Sequence, residues 1–195
     1  MKYPDFFNTI SPIILKDDLA KFLGSSQDGI IEISYLEIVK MAGHSCGVTS
    51  GTYIMAQKGL KALYGNDFPK RGEIKVELQK NLEEGNTGVF GSVMSNITGA
   101  TTNMGFGGIQ GKFNRRNLMF FGADIPSDIR LTRLDTGKSV DLYYTPGKVV
   151  NPRDILMSAI GPNSTEESKK TFPVRWQEMV KTIFNNADKV VMVKE

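Results

Sequence analysis

The hydrophobic residues of this sequence change their spacing near residue 70. Before it, Tyr53, Ala56, Leu60 and Leu63 recur at the three-to-four-residue interval of a helix with one apolar face. After it, Ile74, Val76 and Leu78 alternate with Glu73, Lys75 and Glu77, the two-residue period of a half-buried strand. Helical patterns come first, and strand patterns joined by short turns follow. That order argues for an α+β fold, with helices packed on one face of a mixed, largely antiparallel sheet, rather than for alternating α/β units.

Local signals fill in the elements. Residues 12–23 read as a short helix, with Pro12 in its first turn and Gly24 just past its end. Ile30 to Ile33 reads as a brief strand. Ser34-Tyr35-Leu36-Glu37 has the capping-box pattern and predicts a helix over 35–42 that ends at Gly43. A second helix is expected from Cys46 to Tyr64. Val89 to Ile97 reads as a short helix, and the glycine-dense stretch from Gly99 as a loop. Asn117 to Phe121 reads as a buried strand, and 129–133 with 140–144 as a hairpin around Asp135-Thr136-Gly137. Pro146 to Pro152 reads as a linker, dividing the chain into 1–150 and a helical extension, 151–195, packed on the same core. In that extension Trp176, Met179, Val180, Ile183 and Phe184 mark one apolar helix face. Val190 to Val193 is expected to close the chain as a strand.

Composition removes several classes. With 40% hydrophobic and 23% charged residues among 195, the chain is neither disordered nor collagen-like. One cysteine excludes an intrachain disulfide and a multi-cysteine zinc finger. A net charge of +3 gives no argument for nucleic acid. No apolar run reaches the ~20 residues of a membrane span, and the first residues lack the apolar core of a signal peptide. The expectation is a cytoplasmic protein that contacts neither membrane nor nucleic acid.

The site signal is Gly43-His44-Ser45-Cys46-Gly47, which holds the only histidine and the only cysteine of the chain. Imidazole and thiolate are good ligands for borderline-soft metals. On one continuous helix, residues i and i+2 point far apart, but an extended or turning backbone between flanking glycines brings them to one side. A cysteine at the start of the following helix also meets its free N–H groups. Three readings follow: a metal-ligand pair, a reactive thiolate assisted by His44, and a structural cysteine beside a helix-capping histidine. For a metal the missing ligand is a carboxylate such as Asp17, Asp18, Glu32 or Glu37, or a group from a second copy of the chain.

The same residues carry a resemblance. Gly43-His44-Ser45-Cys46 followed by a helix of small and apolar residues resembles the G-H-x-C-P-G signature of the FmdE-like family, which takes its name from formylmethanofuran dehydrogenase. Thr87-Gly88-Val89, Thr98-Gly99-Ala100-Thr101, Gly111-Lys112-Phe113 with Asn117-Leu118, and Asp135-Thr136-Gly137-Lys138 follow in the order of that family's later motifs. The resemblance spans about residues 30–145. It implies an α+β domain of the kind seen in the catalytic domain of glyceraldehyde-3-phosphate dehydrogenase, a homodimer and a metal-binding pocket. The chain departs from the pattern at Gly47, where the family has proline, and at Thr87 and Ala100, where it has cysteine. A helical extension stands in place of the cysteine-rich C-terminal module.

On this reading His44 and Cys46 hold a divalent transition metal, zinc first, with haem or iron in a carrier protein as the alternative. The glycine-rich run from Gly105 to Arg116 ends in basic residues. Gly107, Gly108, Lys112 and Arg115 are its candidates for contact with a small anionic ligand or cofactor.

Overall fold

Five strands form the main sheet because their alternating residues offer one continuous apolar face. The computed structural model describes residues 2–195. The strands are β3 (Ile74–Leu78), β4 (Met119–Phe120), β5 (Ile129–Arg133), β6 (Ser139–Tyr144) and β7 (Val191–Lys194), in the spatial order β4-β3-β5-β6-β7. Only the β3–β4 pair is parallel. Register aligns Val76 with Leu131 and Leu131 with Val140, and pairs Leu78 with Ile129 and Ile129 with Leu142, all buried. The opposite face carries Lys75, Glu77, Arg130 and Asp141, tied by ion pairs between Lys75 and Glu77 and between Arg130 and Asp141. The fold is therefore α+β with helices on a mixed, mostly antiparallel sheet, as the change of period predicts.

The 18-residue helix α3 (Gly47–Tyr64) lies on the apolar face. Its approach is close: a Cβ on Gly59 would stand 2.9 Å from Leu131 and 3.0 Å from Leu142. Helix α4 (Thr87–Thr98) lies beside it, with Val93, Met94 and Ile97 buried. Helix α2 (Tyr35–Ala42) is fixed at both ends. The Ser34 hydroxyl accepts from Glu37 N–H while the Glu37 carboxylate accepts from Ser34 N–H, and Gly43 closes the helix at φ 75°.

Residues 12–23 depart from the expected single helix. Ile13–Lys16 form strand β1, antiparallel to β2 (Ile30–Ile33), and only Asp18–Phe22 are helical, as α1. Asp17 explains the break. Its carboxylate caps α1 by accepting from Leu19 and Ala20 N–H, so the helix cannot start earlier, and Ile13 and Leu15 are buried through strand pairing instead.

The C-terminal residues join the same core. After a 3-10 turn at Pro146–Lys148, helices α5 (Pro152–Ile160), α6 (Glu166–Asn185) and α7 (Ala187–Val190) lead into β7, which pairs with β6. Met179, Val180 and Ile183 of α6 are buried with the α3 core. The closing strand lies one residue later than expected and forms an edge of the main sheet beside β6. No helix of the described residues is long and apolar enough to cross a membrane.

Candidate functional site

The turn from Gly43 to Cys46 runs from the end of α2 to the start of α3. Ser45, between its two reactive neighbours, is held from both sides. Its hydroxyl lies 2.9 Å from the Tyr35 hydroxyl, which also meets Thr49 Oγ1 at 3.2 Å. Its carbonyl accepts from Trp176 Nε1 at 2.9 Å and from Gln177 Nε2 at 3.3 Å. Helix α6 thus reaches the turn across 131 residues of chain.

Cys46 is the N-cap of α3, with extended backbone at φ −149° and ψ 177°. Its sulfur accepts from Thr49 N–H at 3.5 Å, and the Thr49 hydroxyl accepts from Cys46 N–H at 2.9 Å, a capping box with sulfur in the acceptor role. His44 stands in the bend that follows Gly43, and Cys46 is extended. Along the turn His44 is exposed, Ser45 buried and Cys46 partly exposed. His44 Nδ1 lies 3.0 Å from the Ala42 carbonyl, which can only accept. In the neutral ring Nδ1 therefore carries the proton, and Nε2 keeps a bare lone pair on an exposed side chain.

Beneath the turn the start of α3 is crowded. The Tyr144 hydroxyl donates to the Gly47 carbonyl, and its ring lies against Gly51 so closely that a Cβ there would come within 2.3 Å. Burial raises the Tyr35 hydroxyl to about 12 and raises that of Tyr144 further still. Both are neutral hydrogen-bonding groups at physiological pH, not bases.

The carboxylates considered as further ligands lie elsewhere. Asp17 is engaged by Arg71 and Arg115, and Glu37 is spent in the α2 cap. Glu32 lies on β2 and Asp18 on α1. Among the described residues no group of three or more His, Cys, Asp or Glu is placed to hold a metal.

The glycine-rich loop satisfies much of its own backbone. Ile109 and Lys112 exchange both N–H···O bonds at 2.9 Å around Gln110 and Gly111, which have φ 49° and 78°. Gly107 packs against the Arg116 guanidinium, Gly108 against the Lys112 carbonyl, and the Lys112 side chain is exposed. Arg115 turns inward. Its Nη2 donates to Asp17 Oδ1 at 2.6 Å, and the side chain is only 8% exposed.

Sequence reasoning misses Trp176 and Gln177 as supports of the turn, Tyr35 and Tyr144 beneath it, and Arg71 beside Asp17. The Trp176 stripe is readable as a buried face, but nothing local in the sequence says that its indole N–H reaches Ser45. Compared with known proteins, the chain matches no family model and no curated protein.

Proposed function

We propose that this protein binds a divalent transition metal, zinc first, through the His44 imidazole and the Cys46 sulfur, as the likeness to the FmdE-like signature suggests. One observation carries the reading. His44 is exposed and Cys46 partly exposed on either side of a buried serine, and the His44 Nδ1 lies against a backbone carbonyl. Metal-ligating histidines commonly donate their second N–H to a carbonyl or carboxylate, which fixes the tautomer and the ring orientation. The sulfur likewise receives the Thr49 N–H, which orients it at the start of α3. Bound metal would supply Lewis acidity at an exposed position. The chain's own part is to present two donors and to hold Ser45 between them.

The test is elemental analysis of protein purified without added metal, followed by titration with Zn²⁺ and Co²⁺. The expected result is bound metal in the wild type, its loss in His44→Ala and Cys46→Ser, and a sulfur-to-cobalt charge-transfer band that disappears in Cys46→Ser. Equal metal content in wild type and both variants refutes the assignment.

A second reading rests on the sulfur alone. Cys46 caps an 18-residue helix and is partly open to solvent, the placement of a reactive thiol. Rapid alkylation of Cys46 near neutral pH, unchanged by chelator in protein that binds no metal, selects this reading over the first.

A further inference from the structure

Arg115 carries more donors into the interior than the fold uses. Its side chain is 8% exposed, its Nη2 donates to Asp17 Oδ1 at 2.6 Å, and its Nη1 is buried with no hydrogen-bond partner. Buried N–H groups left unpaired are costly and rare. Two glycines make the space around Nη1. A Cβ on Gly72 would overlap it and one on Gly99 would stand 2.9 Å away, and both residues have positive φ, 85° and 74°. Arg115 and Gly72 also wall a cavity of about 70 Å³, together with Asp18, Arg71, Glu73 and Phe113. Phe113 is held there at φ 63°, a strained conformation for a bulky residue, with its ring centre 5.3 Å from that of Phe22.

Charge does not close here within the fold. Asp17 is one carboxylate between two guanidinium groups, 3.0 Å from Arg71 and 2.6 Å from Arg115. Of the other acids on the cavity wall, Glu73 pairs with Lys70 at 3.3 Å and Asp18 is exposed to water. One positive charge is left over. We propose that the cavity holds one small monovalent anion of halide size beside the Arg71–Arg115 pair, with Arg115 Nη1 as the donor kept for it. Liquid water takes about 30 Å³ per molecule, so the space suits one such ion and is too small for a nucleotide or an organic phosphate. The anion supplies both things the interior lacks, an acceptor and a negative charge; a water supplies only the acceptor. Burial lowers the Arg115 pKa, Asp17 opposes that shift and the Arg71 charge adds to it. An anion alongside offsets both lowering effects. The site is built from other segments than the turn at His44 and Cys46, and it stands or falls independently of the metal reading.

Bromide and chloride are the probes. Crystals grown without halide are soaked in NaBr and measured at the bromine absorption edge. In solution, halide-free protein is titrated with NaCl while the chloride NMR line width is followed. Chelator is present, so that no metal offers a second halide site, and ionic strength is held constant with gluconate, which is too large for the cavity. The expected results are a bromide peak in the cavity against Arg115 Nη1, and a saturable broadening of the chloride line that bromide reverses. Arg115→Gln should abolish that broadening. A cavity that holds water and gives no bromide peak overturns the proposal, and so does broadening that Arg115→Gln leaves unchanged. If Arg115→Gln does not fold, the bromide peak in the wild-type crystal decides alone.

Discussion

The Arg115 guanidinium donates to the Asp17 carboxylate at 2.6 Å across 98 residues of chain, and both side chains are buried. Arg71 Nη1 donates to the other carboxylate oxygen at 3.0 Å, while its Nε and Nη2 donate to the Ile97 and Asn96 carbonyls at the end of α4. One carboxylate thus ties the β1–α1 junction, the glycine-rich loop and α4 together, and caps α1 as well.

Asp17→Asn separates charge from capping, since asparagine also caps helices well and has nearly the same volume. Two guanidinium groups lose their counter-charge, one of them buried. Breaking one partner of a buried pair costs about 3–5 kcal/mol. Urea unfolding of the variant should show a loss of that order, well above the roughly 1 kcal/mol expected for Ser34→Ala at the α2 cap. A loss equal to the capping control would mean that the ion pair contributes nothing net.

Acid should unfold the protein through the same group. Burial by itself would raise the Asp17 carboxyl, but hydrogen bonding from Arg71, the Arg115 charge and the Ala20 N–H outweigh it and hold it below its ordinary value of 3.8. Asp135, held by Arg133, is lowered to about 2, and Asp141, held by Arg130, is lowered too. For a depressed carboxyl the stabilisation is full above the unfolded value and is lost as pH falls through the folded one. Stability should therefore fall from just above pH 3.8 toward pH 2, and the fall should be shallower in Asp17→Asn. Denaturant midpoints across that range measure the slope; identical slopes would remove Asp17 from the account.

Gly51→Ala places a methyl where the Tyr144 ring now lies. The ring must move, and its hydrogen bond to the Gly47 carbonyl goes with it. Overpacking of this kind typically costs about 1–3 kcal/mol, with roughly 1 kcal/mol more for the bond. Adding Tyr144→Ala to Gly51→Ala should cost less than the sum of the two single losses, because the clash is already relieved. Additive losses in thermal unfolding would show that the two residues do not press on each other.

Trp176 is the only tryptophan of the chain, and its indole N–H donates to Ser45, between the two proposed ligands. Its fluorescence should change on Zn²⁺ addition in the wild type and stay constant in Cys46→Ser. Trp176→Phe should cost about 0.5–1.5 kcal/mol for the lost hydrogen bond and weaken metal retention without abolishing it. An emission spectrum that Zn²⁺ leaves unchanged in metal-loaded protein would disconnect Trp176 from the turn.

Much of the architecture is legible because its signals are local. A serine followed three residues later by glutamate marks the start of α2, and Gly43 marks its end. Alternation between Glu73 and Leu78 marks β3 and the face it buries. That the one histidine and the one cysteine stand two positions apart is read from the sequence directly, and the helix start at Cys46 is visible from the periodicity that follows it. Residues 12–23 mislead because Ile13, Ile14 and Leu15 suit a strand as well as a helix, and only the pairing with β2 decides between them.

What the sequence determined by itself were features encoded within a few residues: caps, periodicity and a bend between two glycines. Tertiary structure decided that Arg115 turns inward to Asp17 instead of outward from its loop, and that Trp176 clamps Ser45. The contacts join segments 98 and 131 residues apart. Their geometry follows from how the sheet and helices stack, since a buried charge or indole N–H must find whatever partner the completed fold brings within reach.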